Sequence, residues 1–320
     1  MPRFKDYIPH GVIPATLLAF EDDFSIDEEA TRAHLAHVAG VRGITAITVN
    51  GHASEVHACS HDEQHRILDV SLDEVGDRLP LITGVWADGS HEAARIARWS
   101  EQAGASALLV FPPQPIMMMQ GQRKPEMALA HFRTIADATD LPLIAFQYPG
   151  EYAYRMETMQ RLIEQIPSLK AMKDWNMGQA HEAHVRELQS NTRPFNVLST
   201  NSAWLMSSLT MGANGLLSGS GSVIADLQVA LFEAVRAGDL KRAQAINDRI
   251  YPTAKCFYGS PATDMHNRMK EALVMLGRMP KAVVRPPLTG LSRAEIERVR
   301  VAVEAAGLTY EGANILRQAA

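Results

Sequence analysis

Cysteine is scarce in this chain of 320 residues, with Cys59 and Cys256 its only two. Two thiols cannot build a disulfide-stapled scaffold, so we expect both to be free in a reducing cytosol. No apolar run approaches the roughly 20 residues that a membrane span needs. The first residues also lack the apolar core of a signal peptide, so the sequence predicts a cytoplasmic protein with no membrane partner.

Basic residues are not in excess either. The chain has 31 Lys and Arg against 36 Asp and Glu, a formal net charge of -5. Because no basic stripe appears, nucleic acid is not an expected partner. A glycine fingerprint for dinucleotides is also missing after the first predicted strand, which disfavours an open α/β sheet.

Short apolar runs recur along the chain, with helix-like segments between them. Near-continuous apolar runs are typical of parallel strands that are buried on both faces. Eight such units, alternating with helices, close most simply into a (β/α)₈ (TIM) barrel. The eight runs are Val12–Leu18, Ile44–Val49, Leu81–Val85, Ala107–Phe111, Leu143–Phe146, Leu169–Met172, Asn196–Leu198 and Asn214–Leu217.

Local signals mark where the helices begin and end. Capping boxes are expected at Ser25–Glu28 and at Ser60–Glu63. Pro125 suits the first turn of a helix, and Gly104 and Gly212 stand where helices should stop before the next strand.

The pattern changes after the eighth run, where only helical periodicity remains. The predicted helices are Leu227–Ala237, Leu240–Ile250, Thr263–Leu276 and Arg293–Ala306. The sequence therefore predicts a barrel over residues 1–224 and a C-terminal helical domain over residues 225–320.

Lys173 is the most informative residue for function, since catalytic groups of such barrels lie at the C-terminal ends of the strands. Strand alternation places it on one face with Leu169 and Ala171. If that face is the barrel interior, desolvation lowers the pKa of the amine, and a neutral amine attacks ketones. The alternative is an ordinary strand-end lysine that pairs with Glu55 or Asp174.

Two other strand ends supply candidate groups. Tyr148 closes the fifth strand, where a phenol can shuttle protons while a carbinolamine forms and loses water. Its alternative role is packing at the barrel rim. The loop of Gly51, His52 and Ala53 after the second strand offers backbone N–H groups that can hold a carboxylate.

Over nearly its whole length the chain resembles the dihydrodipicolinate synthase / N-acetylneuraminate lyase family. The resemblance rests on the order of a loop Glu, a Tyr and a Lys on strands two, five and six. It implies a barrel with a C-terminal helical domain, a homo-oligomer (dimer or tetramer), and class I chemistry without a metal or other cofactor. The segments that carry it are Gly11–Thr16, Gly51–Glu55, Tyr148-Pro149, Lys173-Asp174, Gly212–Gly219, Met269–Leu273 and Arg285–Leu288.

The resemblance also implies roles for single residues. Lys173 would form an imine with pyruvate or another 2-oxo acid, the small-molecule partner, and Tyr148 would move protons. The backbone amides around His52 and Ala53 would hold the carboxylate of that substrate, and Leu217 would line the pocket.

The strand-two loop departs from the family pattern, which reads Gly-Thr-Thr-Gly-Glu or Gly-Ser-Thr-Gly-Glu. Ala53 replaces the hydroxyl residue that normally hydrogen-bonds the catalytic tyrosine. The proton relay must therefore run through His52, Ser54 or water.

The substrate-facing segments depart as well. The synthases carry tyrosines after strand four, where this chain has Met117–Met119, and an arginine for which Arg155 is the nearest candidate. Trp175, Tyr152 and the soft methionine side chains predict an apolar pocket. The sequence thus predicts a Schiff-base lyase or aldolase for a less polar adduct, not lysine-pathway synthesis of dihydrodipicolinate.

Three other functions remain open from the sequence. One is a dehydratase or hydratase-aldolase that acts on a 2-keto-3-deoxy sugar acid and keeps Lys173. A second is a non-catalytic protein that binds 2-oxo acids. A third is a metal-dependent enzyme, because His57, His61 and His65 follow a spacing of four; a catalytic metal usually needs three ligands at a strand end.

Overall fold

The structure, a computed structural model, describes residues 3–4, 6–190 and 193–310. Its eight strands are all parallel and follow the order β1-β8-β7-β6-β5-β4-β3-β2 around one sheet. They are β1 Gly11–Pro14, β2 Ile47–Val49, β3 Leu81–Val85, β4 Ala107–Val110, β5 Leu143–Gln147, β6 Leu169–Asp174, β7 Asn196–Ser199 and β8 Gly215–Ser218.

The sheet closes on itself between its first two strands. Isolated parallel bridges join Val12 to Ile44 and Ala15 to Thr48, while β1 also pairs with β8. The strand interiors are almost fully buried, as expected for strands covered on both faces. The predicted barrel is therefore confirmed.

Helices surround the strands and continue beyond them. They are α1 Glu28–Ala39, α2 His61–Val75, α3 Ser90–Ala103, α4 Gln114–Met118, α5 Pro125–Ala136, α6 Met156–Gln165, α7 Gly178–Leu188, α8 Leu205–Met211, α9 Gly221–Arg236, α10 Leu240–Phe257, α11 Met265–Met275 and α12 Arg293–Ala305. Across the described residues, none of these helices has both the length and the apolar character of a membrane span.

One predicted helix start is confirmed and another is wrong. Ser60 and Glu63 form both hydrogen bonds of a capping box at α2. The box predicted at Ser25 does not form, because the cap of α1 is Asp27, whose side chain accepts from an amide in the first turn. An antiparallel bridge at Ile26 holds the chain extended there, so the helix can begin only after it.

The first two strands are shorter than predicted by several residues. The first run was expected to reach Leu18, but β1 ends at Pro14. Beyond it the Leu17 amide donates to the Ser222 hydroxyl, so the backbone bonds of this segment leave the sheet. The second strand begins at Ile47 instead of Ile44.

The C-terminal helices pack on one another and on the barrel. Helix α10 contacts α9 and α12, while α9 also contacts β1 and β8. The predicted domain boundary at residues 224 and 225 falls inside α9, which is kinked at Ile224, so the boundary stays a prediction. The last ten residues of the predicted domain, 311–320, lie outside the described residues.

A buried ion pair links the barrel to this helical extension. Glu55 has a left-handed backbone (φ 53°) at the end of the turn after β2, and its Oε1 lies 2.5 Å from Lys270 Nζ on α11. Both side chains are fully buried. The second carboxylate oxygen accepts the backbone N–H of Arg285 at 3.1 Å. The turn that carries His52 and Ala53 is thereby held against α11.

We expect Glu55→Gln to lower the free energy of unfolding by about 3–5 kcal/mol, because it leaves the Lys270 ammonium buried without its carboxylate. Urea-induced unfolding followed by circular dichroism measures this change. The matched control is Glu297→Gln, which breaks an exposed pair with Arg300 and should leave stability nearly unchanged. Equal stabilities of the two variants would contradict the role given to Glu55.

Candidate active site

Lys173 lies at the C-terminal end of β6, level with Phe146 on β5 and Leu198 on β7. Its side chain is 4% exposed, and Nζ is 4.4 Å from the centre of the Phe146 ring. None of the ion pairs among the described residues involves Lys173. Burial lowers the pKa of this amine to about 7, so a large fraction is neutral and nucleophilic near neutral pH.

The two carboxylates considered as partners of Lys173 pair elsewhere. Glu55 binds Lys270. Asp174 is fully buried and accepts hydrogen bonds from His181 Nδ1 at 2.8 Å and His184 Nδ1 at 2.7 Å. Burial alone would raise the pKa of Asp174, but these hydrogen bonds outweigh it and hold the pKa below its usual range. The interpretation of Lys173 as a salt-bridged strand-end lysine is therefore wrong.

Tyr148 follows β5 and has a histidine as its partner. Its hydroxyl lies 2.5 Å from His52 Nε2 and 3.4 Å from Gln114 Nε2 at the start of α4. Burial raises the pKa of Tyr148 and lowers the pKa of His52 well below its usual range. Both groups are therefore neutral near physiological pH, and the phenol and the imidazole share a hydrogen bond whose direction follows the imidazole tautomer.

Ser54, another candidate for the proton relay, has a different hydrogen-bond partner. The Ser54 hydroxyl donates to the Thr16 carbonyl oxygen at 2.8 Å. His52, by contrast, is enclosed by aromatic rings, with ring centres 5.0 Å from Phe111 and 5.3 Å from Trp86. Its orientation is thus set by packing as well as by the Tyr148 hydroxyl.

The turn after β2 presents two backbone N–H groups. The hydrogen bonds described inside it run from Ser54 N to Gly51 O at 3.1 Å and from Glu55 N to His52 O at 3.0 Å. These bonds use neither the His52 amide nor the Ala53 amide. Both of these residues border the same cavity as Lys173.

That cavity has a volume of about 400 Å³, part of it open to solvent. Lys173 is its one charged lining residue, so within the described chain it offers no arginine for a second carboxylate. Its lining is His52, Ala53, Phe146, Lys173, Trp175, Thr200, Gly219, Tyr258, Met265 and Met269.

Several residues of the predicted site lie elsewhere. Leu217 is fully buried within β8 and is not part of the cavity lining. Met118 and Met119 are 73% and 78% exposed, and Tyr152 is 42% exposed. Arg155 is exposed at the cap of α6. The apolar pocket predicted from the methionines after β4 is therefore wrong in its residues, although Trp175 does line the cavity.

The methionines of the cavity come from the C-terminal helices instead. Met265 and Met269 lie on α11, and Tyr258 caps the end of α10, where its hydroxyl accepts the Ser220 amide at 3.0 Å. Reading strand ends cannot find these residues. The one available signal was that the Met269–Leu273 segment resembles the family.

The three histidines of the metal hypothesis have other neighbours. His61 Nδ1 lies 3.1 Å from a carboxylate oxygen of Glu92, and His65 stacks on Trp99 with ring centres 3.5 Å apart. In the part of the chain that the structure describes, no three potential ligands gather as a metal site requires. The geometry does not support a site built on these residues.

A direct titration tests the state of the Lys173 amine. Because its pKa is about 7, it should be charged below pH 6 and mostly neutral above pH 8, whereas an ordinary lysine titrates near 10.5. The ¹⁵Nζ shift in lysine-labelled protein, assigned by the loss of its signal in Lys173→Met, measures this. A midpoint above 9 would contradict the desolvated environment.

Comparisons with known proteins identify the family and the fold of the chain. The profile of the dihydrodipicolinate synthetase family matches residues 8–306. A protein of Haloarcula marismortui named 4-hydroxy-tetrahydrodipicolinate synthase is 32% identical over 299 residues, or 91% of this chain and 92% of that protein. One of the same name from Acidothermus cellulolyticus is 29% identical and covers 96% of both chains.

Solved structures show the same fold. Dihydrodipicolinate synthase from Thermotoga maritima has a TM-score of 0.85 at 22% identity and covers 94% of this chain and 100% of its own. YagE, a prophage protein of the dihydrodipicolinic acid synthase family from E. coli K12 in complex with pyruvate, has a TM-score of 0.84 at 22% identity, covering 93% and 99%. The chain thus belongs to the dihydrodipicolinate synthetase family, whose members are enzymes of the lyase class.

Proposed function

We propose that this protein is a class I lyase of the aldolase type, in which Lys173 forms an imine with pyruvate or another 2-oxo acid. The observation that carries the proposal is the buried Lys173 amine, which has no carboxylate partner among the described residues and a pKa of about 7. Pyruvate is bound in the solved structure of the family member YagE, which supports this choice of substrate.

The first step is attack of the neutral amine on the ketone carbon, which forms a C–N bond and a carbinolamine. The former carbonyl oxygen takes one proton to become a hydroxyl group and a second proton to leave as water. In this scheme Tyr148 delivers and recovers these protons through its hydrogen bond, at 2.5 Å, with Nε2 of His52, which lines the cavity. Loss of a proton from C3 then gives the enamine, whose C3 forms the bond to the aldehyde carbon while the aldehyde oxygen takes up a proton. In the cleavage direction that hydroxyl loses its proton, the C–C bond breaks, and the same enamine remains.

The carboxylate of the 2-oxo acid needs donors on the same side as the amine. We assign this role to the backbone N–H groups of His52 and Ala53, because the described hydrogen bonds of the turn leave both free for a ligand. Leu217 is fully buried within β8 and is not part of the cavity lining, so we give it no contact with the substrate.

The cavity lining also bears on the second substrate, the aldehyde. Trp175, Met265 and Met269 surround Lys173, and a carboxylate on the aldehyde would find no arginine among the described lining residues. Leaving such a charge unpaired costs about 1.5–3 kcal/mol per missing charged hydrogen bond. We therefore favour an aromatic or otherwise apolar aldehyde over aspartate semialdehyde, although the relatives in the comparison are named as synthases.

Borohydride reduction in the presence of pyruvate tests the imine. A peptide that contains Lys173 should gain the mass of the reduced pyruvate adduct, as measured by mass spectrometry of a digest, and Lys173→Met should give none. The matched control is Lys170→Met, on the same strand, which should be labelled like the parent protein. Tyr148→Phe should slow labelling by about 10²–10⁴-fold. Labelling at another residue would contradict the proposal.

The identity of the aldehyde is tested by comparing kcat/KM for condensation of pyruvate with benzaldehyde and with aspartate 4-semialdehyde, measured as loss of pyruvate. Benzaldehyde should be the better substrate. Met265→Ala should lower its kcat/KM by about tenfold through lost apolar contact, while the exposed control Met118→Ala should not. If aspartate 4-semialdehyde is the better substrate, the proposed apolar aldehyde is wrong and dihydrodipicolinate synthesis is favoured instead.

A further inference from the structure

A second cavity lies at the rim of the barrel, between the turn before α3, helix α4 and helix α5. Its volume is about 660 Å³, larger than the cavity at Lys173, and the two share no lining residue. Helix α4 contributes Ile116 and Met117 to this cavity, while its first residue, Gln114, donates to the Tyr148 hydroxyl. Nothing in the proposed lyase chemistry uses this space.

Two buried polar atoms in its lining lack partners. Gln122 is 3% exposed; its Nε2 donates to the Glu151 carbonyl at 2.6 Å, but its Oε1 has no hydrogen bond within the described structure. His131 is also 3% exposed, and its Nδ1 pairs with Ser90 Oγ at 3.0 Å. The Phe111 backbone carbonyl also interacts with the ring, but Nε2 has no partner in ordinary hydrogen-bond geometry within the described structure. Buried polar atoms are nearly always paired, so both indicate a missing partner.

The electrostatics of His131 agree with a neutral environment. Burial lowers its pKa to about 4, although the backbone carbonyl of Phe111 acts in the opposite direction. The imidazole is therefore neutral at physiological pH, and Nε2 donates or accepts according to its tautomer. A ligand with a hydroxyl group can meet either form.

The rest of the lining is mostly apolar. Ile116, Met117, Met127 and Ala128 contribute side chains from α4 and α5, and methionine adapts readily to different shapes. Asp88 is the one charged lining residue, and its carboxylate already accepts the Gln114 amide at 3.0 Å. With no cation in the described lining, an anionic ligand is disfavoured.

We propose that this cavity is a second ligand site, which takes a neutral small molecule with an apolar body and a hydroxyl or amide N–H group. The polar group donates to Gln122 Oε1 and pairs with His131 Nε2, and the apolar body lies between Ile116 and Met127. The site is independent of imine formation at Lys173, so it stands or fails separately from the proposed lyase activity.

Fluorine NMR titration of the full-length protein with 4-fluorobenzyl alcohol tests the site. We expect saturable binding and at least tenfold weaker binding of 4-fluorobenzoate. In ¹H–¹⁵N spectra of labelled protein, the amide shift changes caused by the alcohol should cluster in α4 and α5. No saturable binding, stronger binding of the benzoate, or shift changes around Lys173 would each overturn the proposal.

Variants locate the binding further. Ala128→Leu fills the cavity and should abolish binding, whereas Thr200→Leu, which narrows the cavity at Lys173 instead, should leave it unchanged. Gln122→Met keeps the side-chain length, removes the acceptor and should weaken binding by roughly fivefold. If circular dichroism shows that Ala128→Leu does not fold, the comparison of Gln122→Met with the parent protein decides the question. Unchanged affinity in Gln122→Met, or lost affinity in Thr200→Leu, would contradict the assignment.

Discussion

The ion pair between Glu55 and Lys270 is the constraint on which the active site depends. It buries two full charges where water cannot reach them, so each is tolerable only in the presence of the other. The pair ties the turn after β2 to α11. On this turn stands His52, whose imidazole meets the Tyr148 hydroxyl. A substitution that breaks the pair is therefore expected to displace the turn after β2, and with it the His52 imidazole.

Helix α11 does more than pack against the barrel. His266 Nε2 lies 2.5 Å from the His52 carbonyl oxygen, and Met265 and Met269 line the same cavity as Lys173. The same helix thus holds the turn after β2 through its backbone and supplies part of the cavity lining at Lys173. The barrel strands alone would leave this part of the cavity without a wall.

Alternation along β6 separates two neighbouring ionisable groups into opposite surroundings. Lys173 faces aromatic carbon and has its pKa lowered, whereas Asp174 faces His181 and His184 and stays ionised. The sequence predicts this division in part, because strand periodicity assigns the lysine to the interior. It could not predict the two histidines, whose positions depend on how α7 lies against the strand.

The same limit explains which parts of the site escaped prediction. Lys173 and Tyr148 were predicted as site residues because catalytic groups of barrels lie at strand ends, and Lys173 does line the cavity. Met265 and Tyr258 reach the cavity only through tertiary docking of helices distant in sequence. The run Met117–Met119 has the expected chemistry, but α4 turns two of its side chains to solvent. Composition identified the kind of pocket, and packing decided which residues form it.

Trp175 comes two residues after Lys173 in the sequence and lines the same cavity. Its indole ring lies 6.3 Å from the Phe146 ring and 6.0 Å from the Tyr148 ring, centre to centre. Indole emission responds to the polarity and quenching groups around it. The protein therefore carries an intrinsic fluorophore beside the Lys173 amine, and we expect a ligand that enters this cavity to change the indole emission.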